Sequence, residues 1–237
     1  MKGLLYKNEY AISDKIKIVI PKVRDLIKDE ASYYSNITLI TATPYDMMVQ
    51  LDDIGIDFTK IDDFELFCAI FNQLAESDTS LIFGDLNLTN FIPARINGSN
   101  EIILYDEIND ITIDKTIYSQ ICEVLRLIHG YKRVNKRPAN EEAKKFMIER
   151  ARIKQKRERR KSKIKTTTQL EDLIISLVNT AEFPYNYQSV LDLTIYQFNS
   201  SLYQIIDKVR FDNLMIGCYA GTIDTDKLSK DELSWIK

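Results

Sequence analysis

FELFCAIFNQLAE, residues 64–76, and LIFGDLNLTNFI, residues 81–92, mark the point where the spacing of apolar residues changes. In the first stretch apolar residues recur every three or four positions, as on the buried face of a helix. From residue 80 onward they occur in short runs or alternate, which predicts strands joined by Asn97-Gly98 and Asn109-Asp110 turns. The predicted strands are SLIFG (80–84), LNLTNFI (86–92), EIILYD (101–106) and ITID (111–114). A helix followed by antiparallel strands predicts an α+β fold.

The segments around this change of period predict a mixed N-terminal domain over residues 1–138. LLYKNEYAI and KIKIVI flank the tripeptide SDK, which is typical of a β-hairpin, and Pro21 then starts a helix. A helix over about residues 115–128 closes this domain, because its apolar residues return to helical spacing.

The rest of the chain predicts helices only. Residues 139–168 are expected to form a long basic helix that connects two domains, because PANEEAKKFMIERA keeps a helical apolar stripe before the basic run. Residues 169–237 are expected to form a helical bundle, since QLEDLIISLVNT and IYQFNSSLYQIIDKV each carry such a stripe. Ser229 and Glu232 have the spacing of a capping box and predict a short third helix.

The composition is that of a folded protein without a zinc or disulfide framework. The 237 residues are 45% hydrophobic, which is enough for a substantial core. Cys68, Cys122 and Cys218 are isolated in apolar surroundings, so we interpret them as small core residues. No stretch reaches the roughly 18 to 20 apolar residues of a membrane span, and the first residues lack the pattern of a signal peptide. We therefore expect the protein in the cytoplasm.

The second quoted stretch also has the spacing of a phosphotransferase loop. In such enzymes an Asp accepts the proton of the substrate hydroxyl, an Asn five residues later binds a metal ion, and a second Asp follows. Asp85, Asn90 and Asp106 occur in this order, but no glycine-rich flap precedes them. We therefore expect strand and turn residues here, with no catalytic residue, metal or cofactor, and keep a phosphotransferase as the outside alternative. His129, the only histidine, is interpreted as a cation at a helix C-terminus.

A basic run is the strongest feature of the charge distribution. Residues 150–165, RARIKQKRERRKSKIK, carry +9 in a chain of net charge −3, which leaves −12 for the remainder. We predict that this run is a solvent-exposed helix that binds an acidic protein surface, either on another copy of the chain or on a different protein. Nucleic acid is the alternative partner, and a solvated stalk is the alternative without a partner. The expected partner-binding residues are Arg150, Arg152, Lys154, Lys156, Arg157, Arg159, Arg160, Lys161, Lys163 and Lys165.

Acidic residues are concentrated in the stretch just before the helix predicted over residues 64–76. They lack the ligand spacing and central glycine of an EF-hand loop, so a calcium site is not expected. Some are expected to cap the helix that begins near Asp62. The others predict either a solvated face or an acidic contact surface for another chain. This set contains Asp52, Asp53, Asp57, Asp62 and Asp63.

Several longer strings resemble proteins encoded among the virion-assembly genes of bacteriophages and prophages of AT-rich Gram-positive bacteria. The strings are PYDMMVQLDDIGIDF (44–58), PANEEAKKFMIERARIKQKR (138–157), IYQFNSSLYQI (195–205) and GTIDTDKLSKDELSWI (221–236). This resemblance implies a non-enzymatic role in tail assembly, in particular that of a tail assembly chaperone that binds the tape-measure protein. A minor tail, baseplate or head-completion component is the alternative. The resemblance also implies self-association, partners among tail or virion proteins, and a location in the host cytoplasm or in the finished virion.

Overall fold

The computed structural model describes residues 3–95, 101–162, 169–224, 226, 228–229 and 231–236. It has the predicted α+β fold, in which helices predominate and the strands form two small antiparallel sheets. The elements before the basic run are β1 (Glu9–Ala11), β2 (Lys17–Val19), α1 (Val23–Leu26), α2 (Glu30–Thr41), α3 (Met48–Asp53), α4 (Asp63–Ala75), α5 (Ser80–Phe83), β3 (Phe91–Arg95), β4 (Ile102–Asp106), β5 (Ile111–Ile113) and α6 (Lys115–His129). They are followed by α7 (Glu141–Ser162), α8 (Gln169–Val178) and α9 (Ile195–Tyr219).

The two sheets confirm most of the predicted strands. β1 and β2 form the predicted hairpin, with Tyr10 opposite Ile18. β3, β4 and β5 form an antiparallel sheet in that order. The turn between β4 and β5 contains Asp110 in the left-handed region, with φ 52°, as the Asn-Asp signal suggested. The Asn97-Gly98 turn lies outside the described residues.

Two predicted strands before β3 are instead short helical turns. SLIF forms α5, which begins where the Asp78 carboxylate accepts the Ser80 backbone N–H and ends at Gly84, with φ 65°. In LNLTNFI the Asn87 side chain accepts the Thr89 backbone N–H, and a 3-10 turn precedes β3. Local side-chain hydrogen bonds therefore determine the backbone here, although the apolar spacing favoured strands.

The main core combines both ends of the chain. Apolar residues of α8 and the start of α9, including Ile174, Ile195 and Phe198, belong to the same buried cluster as β2, α2, α4 and α6. The backbone reinforces this contact, because the Ile195 N–H donates to the Pro21 carbonyl at 2.8 Å and the Val23 N–H donates to the Leu193 carbonyl at 2.9 Å. The predicted folding units 1–138, 139–168 and 169–237 stay a prediction.

The C-terminal region is otherwise helical, as predicted. α9 begins with a capping box in which Thr194 and Gln197 exchange hydrogen bonds. Ser229 and Glu232 also make a capping-type contact at 2.8 Å, but the residues that follow form a turn instead of the predicted third helix. Within the parts of the chain that the structure describes, no helix combines the length and the apolarity needed to cross a membrane.

Candidate functional site

The first half of α7 is anchored on the body. Asn140 caps the helix by accepting the Ala143 backbone N–H at 2.8 Å. Four residues further on, Met147, Ile148 and Ala151 pack against a second apolar cluster that contains Leu51 and Phe58. The helix is therefore fixed to the body as far as residue 151, and the direction of the basic run is set by this contact.

Among the described side chains of α7, Arg152 is the last that forms an ion pair with the body. Its guanidinium lies 2.7 Å from the Asp52 carboxylate and 2.6 Å from the Asp53 carboxylate. The pKa of Arg152 is raised, first by the hydrogen bond to Asp52 and then by that to Asp53. Two residues earlier, the Arg150 guanidinium lies over the Phe146 ring of the same helix at 5.7 Å.

Beyond Arg152 the cations whose side chains the structure describes are exposed, and only Lys154 has a carboxylate partner among the described residues. Lys154 is 3.7 Å from Glu158 on the same helix, whereas Lys156, Arg157 and Arg160 are exposed and make no ion pair within the described part of the chain. The backbone of Arg159 and Lys161 is helical, and Lys163 and Lys165 lie outside the described residues. We call the segment from Lys154 to Lys161 the basic end of α7.

The five acidic residues of the predicted contact surface all form ion pairs within the chain. Besides the two contacts of Arg152, Lys144 lies 3.1 Å from Asp57, Lys115 lies 2.7 Å from Asp62, and Arg133 lies 2.9 Å from Asp63. Their use by another chain stays a prediction, but their charges are already balanced by cations of this chain.

Two of these carboxylates also have local structural roles. Asp62 caps α4, as the sequence indicated, by accepting the Phe64 and Glu65 backbone N–H groups. Hydrogen bonds from the backbone and side chain of Thr59 lower the pKa of Asp57 to about 2, and Lys144 contributes further. Asp57 is therefore ionised at neutral pH and is part of a local turn.

Of the three residues with phosphotransferase spacing, Asn90 and Asp106 are hydrogen-bonded to each other. Asp106 is fully buried and accepts hydrogen bonds from the Ile108 and Asn109 backbones, from the Asn109 amide and from Asn90. Burial raises the pKa of Asp106, but these hydrogen bonds, led by that from the Asn109 side chain, outweigh burial and lower it. The oxygens that a metal ion would need are thus engaged in fixing the β4–β5 turn.

Asp85 lies apart from that turn, on the wall of a groove of about 580 Å³ beside the N-terminal hairpin. The lysines that line the groove are already engaged, since Lys17 pairs with Glu9 at 2.8 Å and Lys15 donates to the Asn109 and Asp110 carbonyls. Among the described residues, no group of three or more His, Cys, Asp or Glu side chains could hold a metal ion.

His129 ends α6, as predicted, but its interpretation as a helix-end cation was wrong. The side chain is buried, and its Nε2 lies 3.0 Å from the Tyr33 hydroxyl while Nδ1 has no hydrogen-bond partner. Burial lowers the pKa of His129 to about 4, so the imidazole is neutral at neutral pH. The helix instead ends at Gly130, which adopts the left-handed conformation of a C-cap.

The sequence reasoning missed a second exposed surface, at the C-terminal half of α9. No residue of α9 after Phe198 is fully buried, although Val209, Ile216 and Tyr219 are apolar. The sequence does contain a pattern that indicates this surface. The helical spacing of apolar residues in IYQFNSSLYQIIDKV continues past Val209 to Ile216 and Tyr219.

Both exposed helix ends fall in the part of the chain that matches a known family. Residues 154–237 match the model of the YomV second domain. That domain is from a family derived from Bacillus phages and prophages, so this region, about a third of the chain, is similar to a phage-related domain. No curated protein and no solved structure matches the chain. The matched region begins at Lys154, where α7 leaves the body.

Proposed function

We propose that the protein is a non-enzymatic phage assembly or structural protein that binds an acidic surface of another protein through the basic end of α7. The observation that carries this proposal is the contrast in ion pairing. Asp52, Asp53, Asp57, Asp62 and Asp63 are paired with cations of the chain itself. Lys156, Arg157 and Arg160 make no ion pair within the described residues, so an acidic surface on another molecule would supply the partners that they lack there.

A protein partner suits this helix end better than nucleic acid. Proteins that bind single strands without sequence preference combine cations with aromatic side chains on which bases stack, and residues 153–162 contain no aromatic residue. The region that matches the family model, residues 154–237, also contains the C-terminal half of α9 with its exposed apolar residues. Exposed apolar and aromatic side chains are enriched at the cores of protein interfaces.

The specific role that we favour is that of a tail assembly chaperone that binds the tape-measure protein in the host cytoplasm. A tape-measure protein is long, so many copies of a small chaperone have to cover it, and exposed helix ends allow such repeated contacts. A minor tail or other structural component, retained in the virion, would use the same surface. Each exposed ion pair contributes only about 0–1 kcal/mol, so several cations have to act together.

The test is co-purification from phage-producing cells with a charge-reversed variant. Lys156, Arg157 and Arg160 are changed together to Glu, and the matched control changes the exposed cations Lys132, Lys136 and Arg137 to Glu. Both variants change the net charge equally, but only the first alters the basic end of α7. We expect an acidic phage protein to co-purify with the wild type and the control at low salt, and to be lost from the α7 variant.

The same co-purification is repeated at several salt concentrations. Binding should weaken as the Debye length falls from about 10 Å at 0.1 M to about 3 Å at 1 M ionic strength. Equal recovery of the same partners with the wild type and the α7 variant would contradict the proposal.

Nucleic acid is the second candidate partner, because Lys156, Arg157 and Arg160 present adjacent unpaired cations on an exposed helix. In that case the protein should slow the migration of DNA or RNA in a gel, and this effect should weaken as salt rises. Changing Lys156, Arg157 and Arg160 together to Glu should abolish it. Reversal is preferable to deletion of residues 150–165, because Ala151 and Arg152 contact the body. Partners that are lost on nuclease treatment would favour this candidate.

A further inference from the structure

α9 carries one apolar stripe along its whole length, with the spacing of three and four residues that occurs in coiled coils. The positions of the stripe are Ile195, Phe198, Leu202, Ile205, Val209, Asp212, Ile216 and Tyr219. Ile195 and Phe198 are completely buried, whereas Val209, Ile216 and Tyr219 are 42%, 65% and 88% exposed. The same face of one helix therefore changes from core to surface along its length.

The buried half of this stripe packs on α6. The Asn199 amide donates to the Ile128 carbonyl at 3.3 Å, and the Tyr203 hydroxyl donates to the His129 carbonyl at 3.1 Å. α6 ends at His129, so its partnership with α9 ends there as well. About three turns of α9 extend beyond Val209, and α6 has no further residues to pack on them.

The C-terminal segment covers a different side of α9. The Gln204 amide donates to the Trp235 carbonyl at 2.9 Å, and Asp231, Glu232 and Ser234 line a pocket with Phe211 and Leu214. At 100° per residue, Phe211 and Leu214 lie on the side of the helix opposite Val209 and Ile216. The described residues of the chain's own tail thus leave the stripe exposed at Val209 and Ile216.

We propose that this stripe is covered by the α9 helix of a second copy of the chain. The basic end of α7 cannot cover it, because cations occupy most of its positions. A second copy supplies an identical stripe that continues the packing already present in the buried half. The two copies would form a symmetric interface, in which the same patch serves on both sides.

The charges on this half of α9 suit self-association. Asp207 and Asp212 balance Lys208 and Arg210, so two copies bring no net charge together. Asp212 is the only charged residue in the stripe, and it forms an ion pair with Lys208 of its own helix at 2.7 Å. The two Asp212 side chains, each neutralised by Lys208 of its own helix, can therefore approach each other, and a polar residue in such a seam fixes the register.

The test measures the mass of the purified protein by sedimentation velocity over a range of concentrations. Val209 and Ile216 are changed together to Asp, and Ile175→Asp on α8 is the matched control, because Ile175 is also about half exposed. We expect dimers for the wild type and the control, and monomers for the α9 variant with an unchanged circular dichroism spectrum. Because the contact is apolar, the wild-type dimer should persist at about 1 M salt, unlike binding by the basic end of α7.

A second variant controls for the case in which the two Asp substitutions prevent folding. Val209→Ala and Ile216→Ala together should weaken the dimer without introducing charge. A monomeric wild type, or an unchanged dimer in both α9 variants, would overturn the inference. The experiment needs no partner or nucleic acid, so its outcome is independent of the proposed function.

Discussion

The body of the protein and the two helix ends that leave it differ in how they satisfy charge and apolar surface. In the body, the five clustered aspartates have cationic partners, and side chains as large as Phe71 and Phe83 are completely buried. At the basic end of α7, by contrast, Lys156, Arg157 and Arg160 make no ion pair within the described residues, and in the C-terminal half of α9 the apolar side chains of Val209 and Ile216 are exposed. Exposed surface of this kind marks interaction sites when it is contiguous.

This difference occurs within single helices, which makes it informative. α7 changes character between Arg152 and Lys154, and α9 changes between Phe198 and Val209. The helical conformation is the same on both sides of each boundary, so the conformation of the chain does not account for the change. What changes is the presence of a packing partner, and the substitutions below compare the two sides of each boundary.

The largest expected effect compares Phe198→Ala with Tyr219→Ala on α9. Phe198 is completely buried, and removal of a core phenylalanine typically costs about 3–5 kcal/mol of the free energy of unfolding. Tyr219 is 88% exposed, so its substitution should stay within about 0.5 kcal/mol. Urea unfolding of both variants measures the difference. Similar costs for the two substitutions would show that α9 is equally packed along its length.

The next effect concerns pH and belongs to the interior of the body. Burial holds the pKa of folded His129 at about 4, below its ordinary value of 6.5. The unfolded chain therefore binds a proton first, and stability that is complete above pH 6.5 is lost as the pH falls toward 4. The loss should be of the order of 3 kcal/mol across this window.

The control for the histidine effect is His129→Gln, which cannot titrate in this range. Stability measured at a series of pH values should fall between pH 6.5 and 4 in the wild type and much less in the variant. Asp57, with a pKa of about 2, contributes only at lower pH. If the variant retains the full pH dependence, protonation of His129 does not destabilise the fold.

A smaller effect compares the two sides of the boundary in α7. Ile148 is buried in the second apolar cluster, and Ile148→Ala should cost about 2 kcal/mol, at the low end of the usual range because that cluster is small. Ile153 is exposed, so Ile153→Ala should change stability by less than about 0.5 kcal/mol. If chemical denaturation shows that both substitutions lower the free energy of unfolding equally, the packed part of α7 extends beyond Arg152.

The smallest effect separates the paired and unpaired cations of α7. Arg152→Glu breaks two ion pairs with the body and should lower the urea midpoint slightly at low salt, with the difference disappearing at high salt. Arg157→Glu should leave the midpoint unchanged at every salt concentration, because Arg157 has no partner within the described residues. A matching change in both variants would mean that the charge of the helix, and not the contact with Asp52 and Asp53, affects stability.

Much of the fold was predictable because long apolar stripes and turn residues act locally. The helical spacing of Phe64 to Leu74 predicted α4, and the Asn-Asp pair at residues 109–110 predicted the β4–β5 turn. The helical turns at SLIF and at Leu88–Asn90 were missed because single side chains, Asp78 and Asn87, determine them. Apolar spacing cannot detect such hydrogen bonds.

The candidate site was predictable in part. The count of charges identified the basic run, but it could not show that Arg152 would pair with Asp52 and Asp53, since these residues are about a hundred positions apart. The packing of α8 and the start of α9 on the N-terminal core also depends on contacts between distant residues. His129 illustrates the same limit, because its neutral state results from burial by distant elements.

The most direct test of the proposed contact is carbodiimide cross-linking in phage-producing cells, followed by mass spectrometry. This reagent joins lysine amines to carboxylates in direct contact. We predict links from Lys154 or Lys156 to acidic side chains of another phage protein, present after nuclease treatment and lost at high salt. Lys132 and Lys136, which are equally exposed on the body, should give few such links. Links from the α7 lysines that occur only within the chain, or no more often than from Lys132 and Lys136, would contradict the account.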